Sequence, residues 1–167
     1  SMYASYTRKA NDAVFELLSG LDDEALNADR KSYYGSLSGL ALHIVNATLY
    51  FHGLYRQAPA ALAPLSGSSG LSAPGKGPLS RDGWLALRSA CRVADDATVA
   101  LAGVADQALL AYPVAVDWYG GDPATVPLGF LVHQLYVHGI HHRGQVSQIL
   151  DELGVEHDFS GIDIAHY

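Results

Sequence analysis

Residues 138–145 read His-Gly-Ile-His-His-Arg-Gly-Gln, three histidines within five positions followed by a cation, a glycine and an amide. They sit inside a longer stretch, Pro127 to Leu153, whose apolar residues return at three- and four-residue steps. The whole is expected to be one helix, with Pro127 in its first turn and Gly154 as its stop. On a helix that turns about 100° per residue, His138 and His142 lie about 40° apart on one face. His141 is rotated by about 100° from His142, and His133 by about 140° from His138, so neither shares that face. The face continues through Leu131, Gln134, Leu135, Gln145 and Ile149, an inward stripe carrying a few polar groups.

Three earlier segments have the same period. The first runs from about Tyr3 to Ser19, with Tyr6, Ala10, Ala13, Leu17 and Leu18 on its stripe and Gly20 ending it. The second starts at Ser36, a candidate cap, and places Leu37, Leu40, Ala41, Ile44, Val45, Thr48 and Leu49 together on the way to Gln57. The third opens at Ser80, another candidate cap, with Asp82 favourable near the positive end of the helix dipole and Trp84, Leu87, Cys91, Ala94, Thr98 and Leu101 as its stripe. Between the second and third lies Ala58 to Leu79, rich in Pro, Gly, Ser and Ala, which reads as a long crossover loop. Asp106 to Val126 holds a β-prone run ending at Gly120-Gly121, expected to be a small hairpin or extended cover before the last helix. Four amphipathic helices with one long crossover predict an all-α fold, a four-helix bundle, as a single domain over residues 1–167.

An i,i+4 histidine pair lets two imidazoles reach one metal ion, the spacing used by zinc-protease helices. Gly139 stands where that motif carries its general-base glutamate, so protease chemistry is excluded. A third ligand is expected from the second helix, where His43 shares a face with Ser36, Gly39, Asn46 and Tyr50. His52, nine residues further on, lies about 180° away and is expected to face solvent or a partner. His157 and His166 fall in the tail. Gly139 and Gly144 each cost about 1 kcal/mol in a helix interior, which points to something packed close against the helix there. From the residues alone two readings stand: a metal site of His43, His138 and His142, and a set of hydrogen-bonded polar residues on packed helices.

Composition narrows the function classes. Apolar residues make up 49% and charged residues 16% of the 167, an ordered globular balance. The formal net charge of −7 argues against a nucleic-acid surface. One cysteine, Cys91, precludes an intrachain disulfide, and neither a leader-like apolar run near the N-terminus nor a bilayer-length apolar stretch is present, so a cytoplasmic protein without a membrane partner is expected.

The His-x-x-x-His-Arg-Gly-Gln string at 138–145, together with "SLSGLALHIVNATLYF" at 36–51 and the upstream "LLSGLDDEALNADRKSYYGS", resembles the DinB/YfiT-like superfamily of bacterial metalloenzymes. The likeness covers about Tyr6 to Leu153. It implies a divalent metal bound by His43, His138 and His142 inside a four-helix bundle of up-down-down-up topology, and a homodimer. It also implies a role in bacterial stress response and, from the best-understood relatives, transfer or isomerisation with low-molecular-weight thiols such as bacillithiol or mycothiol. No motif in this sequence identifies a thiol cofactor.

Three neutral imidazoles suit Zn²⁺ or Ni²⁺ and leave a coordination position open, while the lack of a carboxylate on the His138/His142 face disfavours the two-histidine, one-carboxylate iron site. Asn46, Tyr50, Gln134 and Gln145 are the candidates for orienting the ligands or a small-molecule substrate, and equally for satisfying one another across the helices. Two function classes follow: a metal-dependent transferase or hydrolase, and a non-catalytic metal-binding bundle. A metal open to a cleft favours the first, and a metal sealed by side chains favours the second.

Overall fold

The computed structural model describes residues 2–75, 77–119 and 122–158. In chain order these form α1 (Met2–Ser19), α2 (Asp23–Asn27), α3 (Leu37–Tyr55), α4 (Arg81–Val104), α5 (Gln107–Leu110), β1 (Pro113–Tyr119), β2 (Asp122–Pro127) and α6 (Leu128–Glu152). The chain is mostly helical, with one small antiparallel sheet. The four long helices match the four periodic segments. No described helix is long and apolar enough to cross a membrane.

The helix ends follow from local chemistry. Ser36 accepts a hydrogen bond from the Gly39 amide at 3.0 Å and Ser80 accepts one from the Gly83 amide at 3.2 Å, each satisfying an amide that has no partner inside its helix. Pro127 is the last residue of β2 and stands just ahead of α6 as its N-cap rather than inside the first turn. Its fixed φ suits the extended conformation it has there. Gly154 follows α6 with φ of +67°, the left-handed stop expected of it.

Helix α1 packs on α4 and α6, and α3 packs on the same two helices. Two apolar clusters fill the interior. One gathers Phe15, Leu18, Leu37, Trp84, Leu87 and Leu150 among others, and the second gathers Tyr55, Leu65, Leu101, Val114, Leu128 and Leu131 among others. Each such side chain stabilises the fold by roughly 1.5–3 kcal/mol on burial. Between these clusters α1, α4 and α6 contribute buried polar residues instead: Asn11, Asp95, His142 and Arg143. Asn11 joins two of them, donating from Nδ2 to both Asp95 oxygens at 3.1 and 3.0 Å and accepting from Arg143 Nη1 at 2.9 Å. Burial pushes the Asp95 carboxyl up to about 7 against the lowering effect of these partners.

Gly139 has a packing reason, because a Cβ there would meet Arg143 Nη1 at 3.0 Å. Gly144 has none, with nothing near its missing side chain. The neighbour of Gly139 is a side chain of α6 itself, so the expectation that something packs close against the helix is met at neither glycine.

The crossover between α3 and α4 is more buried than its composition suggests. Two short 3-10 turns, Pro59–Ala61 and Ser66–Ser68, fold it back onto α3 and α4, with Ala58, Ala61 and Leu65 fully buried. His52 sits beneath it, and the expectation that this ring faces solvent or a partner is overturned: it is wholly buried. Its Nδ1 lies 2.9 Å from Ser68 Oγ and its Nε2 2.9 Å from Thr98 Oγ1. Helical angle alone placed His52 outside the stripe; the returning loop supplies the cover that the helix itself does not.

The hairpin pairs Val114 with Val126 and Ala115 with Thr125, with a bulge between Val116 and Tyr119. Val114 and Val116 are buried while Ala115 and Asp117 are exposed, the alternation of a half-covered strand. The Gln57 side chain reaches β1 from the end of α3, donating to Ala115 O at 3.0 Å and accepting from Ala115 N at 2.9 Å. Gly120, Gly121 and His166 lie outside the described residues.

Candidate metal centre

Helices α3 and α6 lie side by side, and the pairing brings His43 to His138 and His142. The three Nε2 atoms form a small triangle: His43 to His138 3.0 Å, His43 to His142 3.1 Å, His138 to His142 3.1 Å. His142 is buried and the other two are half-buried. The other described histidines supply no nitrogen to this group: His133 and His141 are exposed, His141 meeting the His142 ring edge-on at 4.9 Å, and His157 sits 3.1 Å from Asp151.

The triangle has a chemical consequence. A ring N–H is directed along one line toward one acceptor, so three ring nitrogens at the corners of one small triangle cannot satisfy one another. His142 Nδ1 lies 2.7 Å from Gln145 Oε1, an acceptor, so the proton belongs on Nδ1 and Nε2 presents a lone pair. Burial first, and the nearby imidazoles second, together lower the His43 and His138 pKa values to about 4. Burial also lowers that of His142, against the opposing pull of Gln145. All three are therefore neutral near pH 7, the state metal ligation needs. Nitrogens held about 2.0–2.1 Å from one ion are roughly 2.8–3.4 Å from each other for bond angles between right-angled and tetrahedral. The observed spacing falls in that range, and the donor set fits a divalent cation of the zinc or nickel kind.

Of the four expected neighbours of the ligands, Gln145 is the one that bonds to a ligand ring. Asn46, Tyr50 and Gln134 line an open cleft of about 410 Å³ between α3 and α6, with His43 and His138 in the same wall and Ala47 and Phe51 beside them. The opposite side of the cluster is closed by a residue the sequence reading passed over. Tyr34 lays its ring on His43, centroids 4.2 Å apart, meets the His142 ring edge-on at 5.2 Å, and brings its hydroxyl to 3.0 Å from His43 Nε2. The signal in the sequence was faint: an aromatic pair, Tyr33-Tyr34, immediately before the cap of the helix that carries His43.

Arg143, next to His142, turns away from the cluster into the buried polar layer. It contacts Asn11 and lies over the Tyr6 ring at 5.3 Å, while its Nη2 is buried with no hydrogen-bond partner.

A family model described as DinB family matches residues 81–160, the stretch that carries α4, the hairpin and α6 with His138 and His142. His43 lies ahead of the matched stretch. The match supports a DinB-like assignment for the chain. No curated protein and no solved structure matches it.

Proposed function

We propose, with the DinB-like assignment as premise, that the protein is a metal-dependent enzyme of the DinB/YfiT type. Its centre is a divalent ion, zinc or nickel, held by His43, His138 and His142, and its substrate is a small molecule. The carrying observation is the convergence of three Nε2 atoms beside an open cleft that two of the rings, His43 and His138, help to line, because a position open to a cleft is what catalysis requires and a structural site lacks. A bound divalent ion supplies Lewis-acid activation of a thiol or of water. The chain's own part is to hold three neutral imidazoles in place, to fix the His142 tautomer through Gln145, and to present Asn46, Tyr50 and Gln134 to whatever occupies the cleft.

Among reactions open to such a centre, thiol-dependent S-transfer is the first choice. Three imidazoles without a carboxylate leave the ion's charge uncompensated, and a soft anionic sulfur suits it. Titration of the cobalt-substituted protein with a small thiol is expected to produce a sulfur-to-cobalt charge-transfer band, lost in His142→Ala. A protein that keeps its cobalt and gives no band at millimolar thiol would remove the basis of the transferase reading and put metal-dependent hydrolysis first. A non-catalytic metal-binding bundle in stress response is the second reading, and a cleft that admits no ligand to the ion would favour it.

The remaining features belong to the same proposal. The long helices form one four-helix-bundle domain of up-down-down-up topology, supported by the packing of α1 and α3 on the same pair of helices. The protein is cytoplasmic and binds no nucleic acid, in keeping with its net charge of −7. It works as a homodimer. A monomer mass independent of concentration in light scattering would remove the dimer.

A further inference from the structure

We propose that Tyr34 is a functional part of the centre: its hydroxyl donates a hydrogen bond to an anionic ligand held at the three-histidine ion, and its ring walls off that side so that the ligand enters from the α3–α6 cleft. This role presupposes the three-histidine metal centre and adds a fourth residue to it.

The first ground is a competition for one lone pair. The hydrogen-bond partner of the Tyr34 hydroxyl is His43 Nε2, at 3.0 Å. That nitrogen has a single lone pair in the plane of its ring, and an ion bound by the triad uses it. The phenol proton then has no acceptor on His43. Its oxygen stays beside the ion, because the ring is held by its stack on His43 and its edge contact with His142. A ligand bound to the ion with negative charge is the acceptor within reach, and a hydrogen bond to a charged acceptor is stronger than one to a neutral group.

The second ground is the backbone that delivers the ring. Tyr34 precedes Gly35, whose φ of +77° turns the chain, and Gly35 O accepts from the Arg30 amide at 2.6 Å, closing a tight loop. The Tyr34 carbonyl lies against the first turn of α3 so closely that a Cβ on Gly39 would be 2.0 Å from its oxygen. Gly39 is one turn ahead of His43 on the same face, so the missing side chain at 39 lets the loop lie flat on the helix and bring the aromatic ring over the imidazole. The opposite, cleft-facing side carries Asn46, Ala47, Tyr50 and Gln134 and no charged side chain. The hydroxyl of Tyr34 is thus a donor in contact with a ligating nitrogen, and the cleft, at about 410 Å³, is the roomier side, the hollow that Tyr34 and Gln145 line being about 190 Å³.

The test uses cobalt-loaded protein and azide as the anionic probe, followed by the visible spectrum of the cobalt. Tyr34→Phe keeps the stacked ring and removes the hydroxyl. It is expected to bind cobalt as tightly as the parent, within about twofold, and azide about tenfold more weakly, the effect of one hydrogen bond to a charged group. Gly39→Ala keeps the hydroxyl but displaces the loop, and is expected to weaken azide in the same direction. Equal azide affinity in parent and Tyr34→Phe would overturn the role. Loss of cobalt from Tyr34→Phe would overturn it too, making the tyrosine a metal ligand instead. Failure of the parent to take up cobalt would defeat the metal centre itself, a result readily told apart from the other two.

Discussion

Helix α3 carries two inward histidines nine residues apart, His43 and His52, and their surroundings differ in kind. His52 is the more buried, and each of its ring nitrogens faces a hydroxyl, one from the crossover and one from α4. A neutral imidazole has one donor and one acceptor; each hydroxyl also faces a backbone carbonyl, Leu65 O or Ala94 O, and one of them turning its proton to the ring makes the ring complete where it stands. His43 is less buried, and its Nε2 faces two further ring nitrogens and a phenol. Burial therefore ranks these two residues in the wrong order for function. The deciding quantity is whether the partners can satisfy the ring without a cation: hydroxyls can, and two other imidazoles aimed at the same point cannot.

The largest effect should come from breaking the incomplete site. Replacing His43, His138 or His142 by Ala is expected to reduce bound metal from one ion per chain to a small fraction, a loss beyond the 10–100-fold usual for outer partners. His141→Ala, His133→Ala and His52→Ala should retain it. Elemental analysis decides, and full occupancy in His43→Ala would erase the distinction between the two regions.

The complete site should respond in stability instead. His52→Ala leaves Ser68 and Thr98 facing a cavity, and is expected to cost about 2–4 kcal/mol in urea unfolding with metal content unchanged. The same ring predicts a pH dependence. Burial, and secondarily the Arg56 charge, lower its pKa from 6.5 to about 4. Between those values the unfolded chain takes up a proton that the folded ring refuses, so the contribution is intact above about pH 6.5 and is lost as pH falls toward 4. At full extent it is on the order of 3 kcal/mol. Unfolding midpoints of metal-free His52→Gln should fall less steeply over that window than those of the parent; parallel slopes would show that His52 is not the group responsible.

The smallest effect sharpens the metal side. Gln145→Leu removes the acceptor that holds the His142 proton on Nδ1. Metal affinity is expected to fall about tenfold, the low end for such partners. An unchanged dissociation constant would mean that packing alone orients His142.

The long helices were legible because apolar residues at helical spacing average over many turns, and because Ser36 and Ser80 are cap residues that act as caps in the structure. The facing of His138 with His142 follows from the same arithmetic, and the approach of His43 from pairing two such stripes. Helices α2 and α5, of five and four residues, are too short to display a period. His52 was misplaced because helical angle measures direction from a helix axis and carries no record of what a loop later lays on top. Tyr34 was missed for a related reason: it belongs to a loop, where no period gives a side chain its direction. Its position depends on Gly35 and on the absent side chain of Gly39.

The clasp between Gln57 and Ala115 bears on what the protein avoids. A two-stranded hairpin has an outer border along β1 that offers unpaired amides to any extended chain it meets, including another copy of itself. Here Pro113 has no amide hydrogen to offer, and the Gln57 carboxamide occupies both the N–H and the C=O of Ala115, imitating a neighbouring strand with a single side chain. Asp117 then places a charge further along the same strand. The border along β1 is thus closed to recruitment before a second molecule arrives, and on that side the helical body carries its small sheet without offering it an added strand.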